Sequence, residues 1–213
     1  MALLAACAGP LSTLDPAGPS ARAVADLWWI MLAGAGALCL LVFGLLAVAL
    51  LRPSMSRGNS ERLWLGWLGV AMPCVVLAAL LVYALALMAR QAPGEPAASM
   101  TVGVEARQYA WAFTHQRGGT PIATENVLNI PAGRPVDLEI TAIDVIHSFW
   151  IPRLAGKMDA IPGHVNRIRI EADAPGRYRG VCAEYCGVGH QGHGFTVIAH
   201  DARGWAEFAG GSE

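Results

Sequence analysis

Charge is scarce in this chain, and lysine is almost absent. Asp, Glu, Lys and Arg make up 15% of the 213 residues, and Lys157 is the only lysine. A formal net charge of −1 provides no strongly basic surface, so nucleic acid is not expected as a partner. Hydrophobic residues reach 54%, which is too high for an ordinary soluble domain, and the chain is too short for a transporter with many helices.

Two stretches contain no charged residue at all, residues 28–51 and 63–89. Each is long enough to cross a hydrocarbon layer of ~30 Å as a helix. Trp28 and Trp29 lie at the start of the first stretch, where tryptophan favours a membrane interface. Helices of soluble proteins rarely stay uncharged for so long. We therefore predict a two-helix transmembrane hairpin over residues 27–90, in contact with a lipid bilayer.

Arginines at the ends of the two stretches predict the orientation of the hairpin. Arg52, Arg57 and Arg62 lie in the short connector between the stretches. Because cytoplasmic loops carry an excess of arginine and lysine, the connector is expected in the cytoplasm and both termini outside. The expected location is the bacterial inner membrane, multi-pass, with residues 1–26 as an extended or loosely ordered lead-in, 91–100 as a linker, and 101–213 as a periplasmic domain.

Three of the five cysteines lie in or before the apolar stretches. Cys39 and Cys74 are expected to be buried thiols without chemistry, since free cysteine packs as a small apolar residue. Cys7 follows Leu-Ala-Ala and resembles the lipidation site of bacterial lipoproteins. Six preceding residues are too few for a complete signal peptide, so either the true start lies upstream or the match is accidental.

After residue 100 the hydrophobic pattern changes to a period of two. Val102, Val104 and Ala106 alternate with polar neighbours, and similar alternation recurs at 109–113, 136–142 and 167–171. Short alternating strands separated by turn residues predict a two-sheet β-sandwich. Residues 201–208 are expected to form one or two closing helical turns.

Two thiols and two imidazoles crowd into a dozen residues near the C-terminus: Cys182, Cys186, His190 and His193. Sulfur and imidazole together suit copper, zinc or iron rather than calcium or magnesium. His147, upstream on a predicted strand, adds a third imidazole. A disulfide between the cysteines and a structural zinc site are the alternatives. The nearby histidines weigh against the disulfide, and the division of ligands between a strand and a loop weighs against a zinc finger.

Three segments together carry a family resemblance. They are Asp-Val-Ile-His-Ser-Phe-Trp-Ile-Pro at 144–152, Gly-Lys-Met-Asp-Ala-Ile-Pro-Gly at 156–163 and Cys-Ala-Glu-Tyr-Cys-Gly-Val-Gly-His at 182–190. Together these segments resemble subunit II of the haem-copper oxidases. The resemblance implies a two-helix anchor followed by an all-β, cupredoxin-like Greek-key sandwich. It also implies a binuclear copper A centre, two copper ions bridged by both thiolates, with these ligands: His147, Cys182, the Glu184 carbonyl, Cys186 and His190.

Two positions depart from the family pattern. His193 stands where the family has a methionine ligand, and no methionine follows Met158. We predict that His193 binds one copper and lowers its reduction potential, the alternative being that it turns to solvent. Tyr109 stands where the family usually has the tryptophan that receives electrons. Tyr109, Trp111 and Asp144 are the residues expected at the site where a c-type cytochrome docks. The alternatives are a core position for the aromatic residue and a turn-forming role for Asp144.

The resemblance also implies partners. The Glu184 carboxylate would help to hold a magnesium ion against subunit I, and Lys157 and Asp159 would lie in the same interface, within a complex that contains further oxidase subunits. The implied function is a subunit of cytochrome c oxidase, which passes electrons to haem in subunit I for proton-pumping oxygen reduction. A copper subunit of a nitric oxide reductase and a membrane-anchored copper carrier or sensor are the alternatives. The remaining histidines are expected at the surface: His115, His164 and His200.

Overall fold

A computed structural model describes residues 7–52, 62–91, 100–117 and 120–210. It divides the chain into two compact units, Asp26–Arg90 and the combination of Met1–Ala25 with Gln91–Glu213. Arg57 of the connector and residues 92–99 of the predicted linker lie outside the described residues.

The smaller unit is built from apolar helices. Helix α1 spans Pro19–Leu51, and a π-helical segment, Arg62–Ala71, continues into α2, Met72–Gln91. The change from π to α geometry lies beside Pro73, whose missing N–H and bulky ring disrupt regular helical hydrogen bonding. Both helical stretches are long and apolar enough to cross a membrane, and none of their most apolar windows is buried within the protein.

Cys39 and Cys74 are exposed in this unit, and the expectation that they are buried is wrong. Each lies on an apolar helix whose surface is not covered by other described parts of the chain. The apolar residues around each cysteine therefore form an apolar surface in this unit and not a protein core.

The larger unit is a sandwich of two five-stranded sheets, ordered β3-β2-β1-β5-β8 and β4-β10-β9-β6-β7. The strands are β1 Thr101–Arg107, β2 Ala110–Arg117, β3 Thr120–Glu125, β4 Val127–Pro131, β5 Val136–Ala142, β6 His147–Trp150, β7 Met158–Ala160, β8 Asn166–Ile170, β9 Gly176–Cys182 and β10 Gly194–His200. A closing helix, α3, spans Ala202–Gly210. Strands β3 and β7 were not predicted, because β7 has only three residues and β3 lacks a clear alternation of apolar and polar residues.

The alternating apolar side chains meet between the sheets, as the period of two predicted. Four aromatic rings form the centre of this core: Trp111, Phe113, Phe149 and Phe195. Phe149 stacks on Phe195 with ring centres 4.7 Å apart, joining β6 to β10. Trp111 lies edge-on to Phe149 at 5.4 Å and connects this sheet to β2. The same rings lie beneath the cysteine loop, so the core also supports that loop.

The described part of the N-terminal lead-in is fastened to the sandwich, in contrast to the loosely ordered segment predicted. Ala17 donates its N–H to the Arg153 carbonyl and accepts from the Asp173 N–H, at 2.7 and 2.9 Å. Gly18 lies so close to the Glu171 carbonyl that a Cβ atom would come within 2.2 Å of its oxygen. Only glycine fits this approach, and an exposed Arg22–Asp173 ion pair of 2.7 Å follows it.

Candidate metal centre

Pairing of β6 with β9 brings the strand histidine to the cysteine loop. Phe149 pairs with Cys182, and β9 pairs with β10, so the loop between β9 and β10 closes above β6. A hydrogen bond of 2.9 Å from the Cys182 N–H to the His193 carbonyl fastens the base of the loop. Residues 35 positions apart in sequence, His147 and Cys182, therefore become neighbours in the core.

Four side chains converge in the interior, and we call them the inner set: His147, Cys182, Cys186 and His193. Their ligating atoms all lie within 4.8 Å of one another, and all four residues are buried. Cys182 Sγ lies 3.9 Å from His147 Nδ1, and Cys186 Sγ lies 3.5 Å from His193 Nδ1. Two sulfurs and two imidazole nitrogens facing one point are a donor set that suits copper.

Two further ligand candidates approach the same sulfurs, and with them they form the outer set: Cys182, Cys186, His190 and the Glu184 carbonyl. His190 Nδ1 is 3.6 Å from Cys186 Sγ, and the Glu184 carbonyl oxygen is 3.1 Å from Cys182 Sγ. The His190 side chain is half-buried and Glu184 is exposed. The sulfurs are thus shared by a buried set and a set nearer to solvent.

The cysteines are free thiols, 3.9 Å apart at sulfur. A disulfide would bring the sulfurs to about 2.0 Å, so the disulfide alternative does not describe this structure. Burial, and then the neighbouring Cys182 sulfur, raise the pKa of Cys186 to about 11. Two adjacent thiolates in this interior would repel each other, and a bound cation removes that repulsion.

Asp144 holds the strand histidine, a role that sequence reasoning missed when it placed this residue at a docking surface. Its carboxylate accepts from His147 Nε2 at 2.8 Å and from the Gln108 and Val145 N–H groups at 2.7 Å. Burial pushes the pKa of Asp144 up, but these hydrogen bonds outweigh burial and bring the pKa down to about 2. The bond to Nε2 leaves His147 Nδ1 facing the sulfurs, as a carboxylate behind a metal-binding histidine does. The Asp-x-x-His spacing was the sequence feature that could have revealed it.

Trp111 is fully buried and forms the floor of the site. Its ring stacks on His193 with centres 5.0 Å apart and an interplanar angle of 23°, and lies edge-on to His147 at 6.2 Å. Tyr109 is 40% exposed and lies edge-on to His193 at 6.1 Å. Of the two aromatic residues predicted at the docking site, only Tyr109 therefore reaches the surface.

Glycines let the loop lie directly under the Tyr109 side chain. A Cβ atom at Gly187 would come within 2.5 Å of Tyr109 Oη, and one at Gly189 would come equally close to Tyr109 Cδ2. Gly187 also has φ +132°, a conformation that side-chain-bearing residues rarely adopt. The Gln108 side-chain amide donates to the Cys186 carbonyl and joins the loop to the β1–β2 turn, a contact that sequence reasoning did not find.

The residues predicted at a partner interface lie on and beside β7, next to the strand that carries His147. Lys157 Nζ and Asp159 Oδ1 are 3.1 Å apart, and both side chains are exposed. Ser148 pairs with Asp159 across the two strands. Cys7, the predicted lipidation site, is exposed and free.

One predicted surface histidine is buried. His115 is only 2% exposed, because it follows Trp111 and Phe113 on the core-facing side of β2. His200 is half-buried and bonds through Nε2 to Asn129 Oδ1 at 2.8 Å, whereas His164 is exposed as predicted. Neither His115 nor His200 belongs to the inner or outer set.

Comparison with known proteins agrees with the fold. Residues 100–199 match the family model of the cytochrome c oxidase subunit II periplasmic domain. Cytochrome c oxidase subunit 2 of Alkalihalophilus pseudofirmus is 31% identical over 213 residues, covering 92% of this chain and 61% of that protein. Quinol oxidase subunit 2 of Bacillus cereus is 28% identical over 213 residues, covering 92% of this chain and 71% of that protein.

The solved periplasmic domain of cytochrome oxidase subunit II from Bradyrhizobium japonicum superposes with a TM-score of 0.51. It is 23% identical, and the match covers 54% of this chain and 94% of that one. This likeness shows the fold, a cupredoxin-like sandwich. The chain spans about three-fifths of the length of the Alkalihalophilus relative. The sandwich residues therefore match the family of cytochrome c oxidase subunit II periplasmic domains, and sequence similarity to a subunit 2 relative extends over the helices.

Proposed function

We propose that the chain receives electrons for a haem-copper terminal oxidase. The sandwich residues would hold a binuclear copper A centre, which would supply a one-electron relay from a c-type cytochrome to haem in subunit I for the proton-pumping reduction of oxygen to water. The observation that carries the proposal is the pair of buried free thiols with imidazole nitrogens from His147, His190 and His193 around them.

The residues divide into ligands for two copper ions. The inner set would hold one copper and the outer set the other, with both sulfurs shared. Copper ions held by these residues would supply a one-electron relay. The family's methionine position is filled by His193, whose Nδ1 faces Cys186 Sγ, which supports a ligand role over a solvent-facing one.

The protein's own residues keep this relay rigid. Asp144 fixes the ring orientation of His147, and Trp111 packs against the rings of His147 and His193. Burial of all four inner side chains excludes water, so few dipoles need to reorient when an electron arrives. Neighbours that hold the ligand rings in one orientation keep the ligand geometry the same in both oxidation states.

Tyr109 is the residue that we place between the donor and the site. It is exposed on one side and touches the loop glycines and the His193 ring on the other. Trp111 continues the aromatic contact inward. The three hydrogen bonds of the Asp144 carboxylate favour positioning His147 over docking a donor.

The remaining interactions follow the family. We propose that the Glu184 carboxylate helps to hold magnesium against subunit I and that the exposed Lys157–Asp159 pair meets the same subunit. The two apolar helices and the family support a membrane-anchored protein with a periplasmic sandwich, and we place it in the bacterial inner membrane with both termini outside. Lipidation at the exposed Cys7 would add a second anchor.

Spectroscopy of the copper-loaded full chain in detergent tests the proposal. We expect two coppers per chain and an electron-paramagnetic signal of one unpaired electron shared over both nuclei. A single uncoupled copper would contradict the binuclear centre and favour a copper carrier. Reduction by a c-type cytochrome and not by a quinol is the second expected result. The assembled complex then decides between oxygen and nitric oxide as the acceptor.

A further inference from the structure

The inner set is complete without the outer set. His147 Nδ1 lies 3.9 Å from Cys182 Sγ, and the two sulfurs lie 3.9 Å apart. Cys186 Sγ lies 3.5 Å from His193 Nδ1. In a tetrahedral site with Zn–S of ~2.3 Å and Zn–N of ~2.0 Å, neighbouring ligand atoms lie about 3.3–3.8 Å apart. These three separations are within a few tenths of an ångström of the tetrahedral values, whereas the longest separation in the set, within 4.8 Å, would have to shorten by about 1 Å or more to close the set around one ion.

Both imidazoles are already oriented for such an ion. Asp144 bonds to Nε2 of His147, which leaves Nδ1 as the ligating atom. The stacked Trp111 ring holds His193, whose Nδ1 lies 3.5 Å from Cys186 Sγ. Since both rings are held before any ion arrives, little conformational freedom is lost on binding.

Charge and ligand type favour one divalent ion at this position. Two thiolates neutralise the charge of a single divalent ion, so the filled inner set would be a neutral complex in a buried place. Imidazole suits ions of borderline softness such as zinc, whereas the thioether of methionine is a softer ligand. The presence of histidine at position 193 therefore changes which ions the inner set can hold.

The outer set lacks this independence. It shares both sulfurs with the inner set, and its other donors are a half-buried imidazole and a backbone carbonyl. If no ion occupies the inner set, the outer set must bind its metal close to solvent and with a backbone carbonyl, a weak ligand, as one of its four donors.

We propose that the inner set is a self-sufficient tetrahedral Cys₂His₂ site that takes one zinc-like divalent ion, ahead of and independently of the outer set. This deepens the proposed copper function, which uses the same sulfurs. It makes zinc a competitor during copper loading, because a zinc ion held by both sulfurs occupies the inner half of the centre. His193 is the residue that determines this property.

Cobalt is the probe, because Co²⁺ takes the place of zinc and tetrahedral sulfur coordination gives it intense visible absorption. The full chain in detergent, reduced and metal-free, is titrated with Co²⁺ and then with Zn²⁺. We expect one Co²⁺ per chain with tetrahedral bands, displaced by one equivalent of Zn²⁺. A variant with Cys182→Ser and Cys186→Ser reports any binding by the remaining thiols.

His193→Met and His190→Met form the matched pair. Each replaces one loop imidazole by the same thioether, so non-specific damage to the loop would affect both. We expect His193→Met to weaken Co²⁺ binding on the order of 100-fold, the share of one ligand in a four-ligand site, and to lose the tetrahedral bands. His190→Met should keep one tetrahedral Co²⁺ and lose the second ion in a copper titration. Equal effects of the two substitutions, or wild-type binding of two Co²⁺ with no one-ion stage, would overturn the proposal.

The same samples separate this proposal from the proposed function. If Co²⁺ binds as expected but copper never gives a shared-electron signal, the tetrahedral site stands and the copper relay fails. If copper gives that signal and Co²⁺ finds no tetrahedral site, the relay stands and the tetrahedral site fails.

Discussion

The sandwich holds two groups of imidazoles, one near each end of strands β2 and β10. The ring nitrogens of the two groups have different partners. At one end lie His147 and His193, whose Nδ1 atoms face sulfur. At the other lies what we call the amide cluster, in which His115 and His200 each bond through Nε2 to Asn129, at 2.9 and 2.8 Å. The difference teaches that burial alone does not mark a ligand. Imidazoles that converge on thiols are free to bind a metal, whereas imidazoles bonded to an amide support the fold.

Replacing one of the shared sulfurs should have the largest effect on the metal-binding end of the sandwich. In Cys186→Ser we expect copper to fall from two ions per chain to one at most and the shared-electron signal to disappear, because the hydroxyl is a poor copper ligand at neutral pH and both coppers use this sulfur. Metal analysis and electron-paramagnetic resonance measure the change. Cys74→Ser, the same substitution on an apolar helix outside the sandwich, is the control and should keep both ions. Retention of the shared-electron signal in Cys186→Ser would rule out thiolate bridging.

The partner of His147 gives the next largest effect. Asp144→Asn preserves the shape of the side chain but removes its charge, and the amide can present its NH₂ group to His147 instead of an oxygen. We expect copper affinity at the inner set to fall by about 10–100-fold, the usual cost of losing a carboxylate behind a metal-binding histidine. Competition with a chromophoric chelator measures the affinity. An unchanged affinity, with a changed rate of reduction by a cytochrome, would return Asp144 to the docking role that sequence reasoning assigned to it.

Much of this comparison could be predicted from sequence, and the exceptions share a physical reason. Crowded thiols and imidazoles, alternating strands and uncharged helices are local patterns, and they predicted the metal cluster, the sandwich and the apolar helices. The function of Asp144 and the burial of His115 depend on which face of a neighbouring strand each side chain meets. The lead-in depends on the close approach of Gly18 to Glu171, a contact over 150 residues of sequence. Such long-range pairings leave little trace in a single sequence, although the alternation Trp111, Phe113, His115 could have placed His115 inside.

His193 sharpens the comparison within the metal end. We expect His193→Met to raise the reduction potential of the copper centre, since imidazole stabilises the oxidised ion more than thioether does. Each tenfold loss of that preference corresponds to about 59 mV for a one-electron couple. Redox titration followed by the visible absorption of the centre measures the shift, with Gln191→Met, an exposed neighbour, as the control. A potential that does not move would mean that His193 packs beside the copper without binding it.

The smallest expected effect is a pH dependence that comes from the amide cluster. Burial lowers the pKa of His115 from its ordinary value of 6.5, more than its backbone hydrogen bonds raise it. Above pH 6.5 the imidazole is neutral in both folded and unfolded chains, so it adds no pH dependence there. Below 6.5 the unfolded chain binds a proton that the folded chain resists, so the free energy of unfolding falls as pH falls, until the lower folded pKa is reached. The slope is at most one proton, about 1.4 kcal/mol per pH unit.

His115→Gln tests this dependence, because its amide can donate to the Asn129 carbonyl in place of Nε2 but does not titrate. Pulse proteolysis of the full chain in detergent between pH 5 and 7.5 reports the unfolding of the sandwich in the two proteins. We expect their difference in stability to be constant above pH 6.5 and to shift in favour of the glutamine variant as pH falls. His164→Gln, a substitution of an exposed histidine, should follow the wild-type curve. Parallel curves for His115→Gln and wild type would assign the acid sensitivity to groups other than His115.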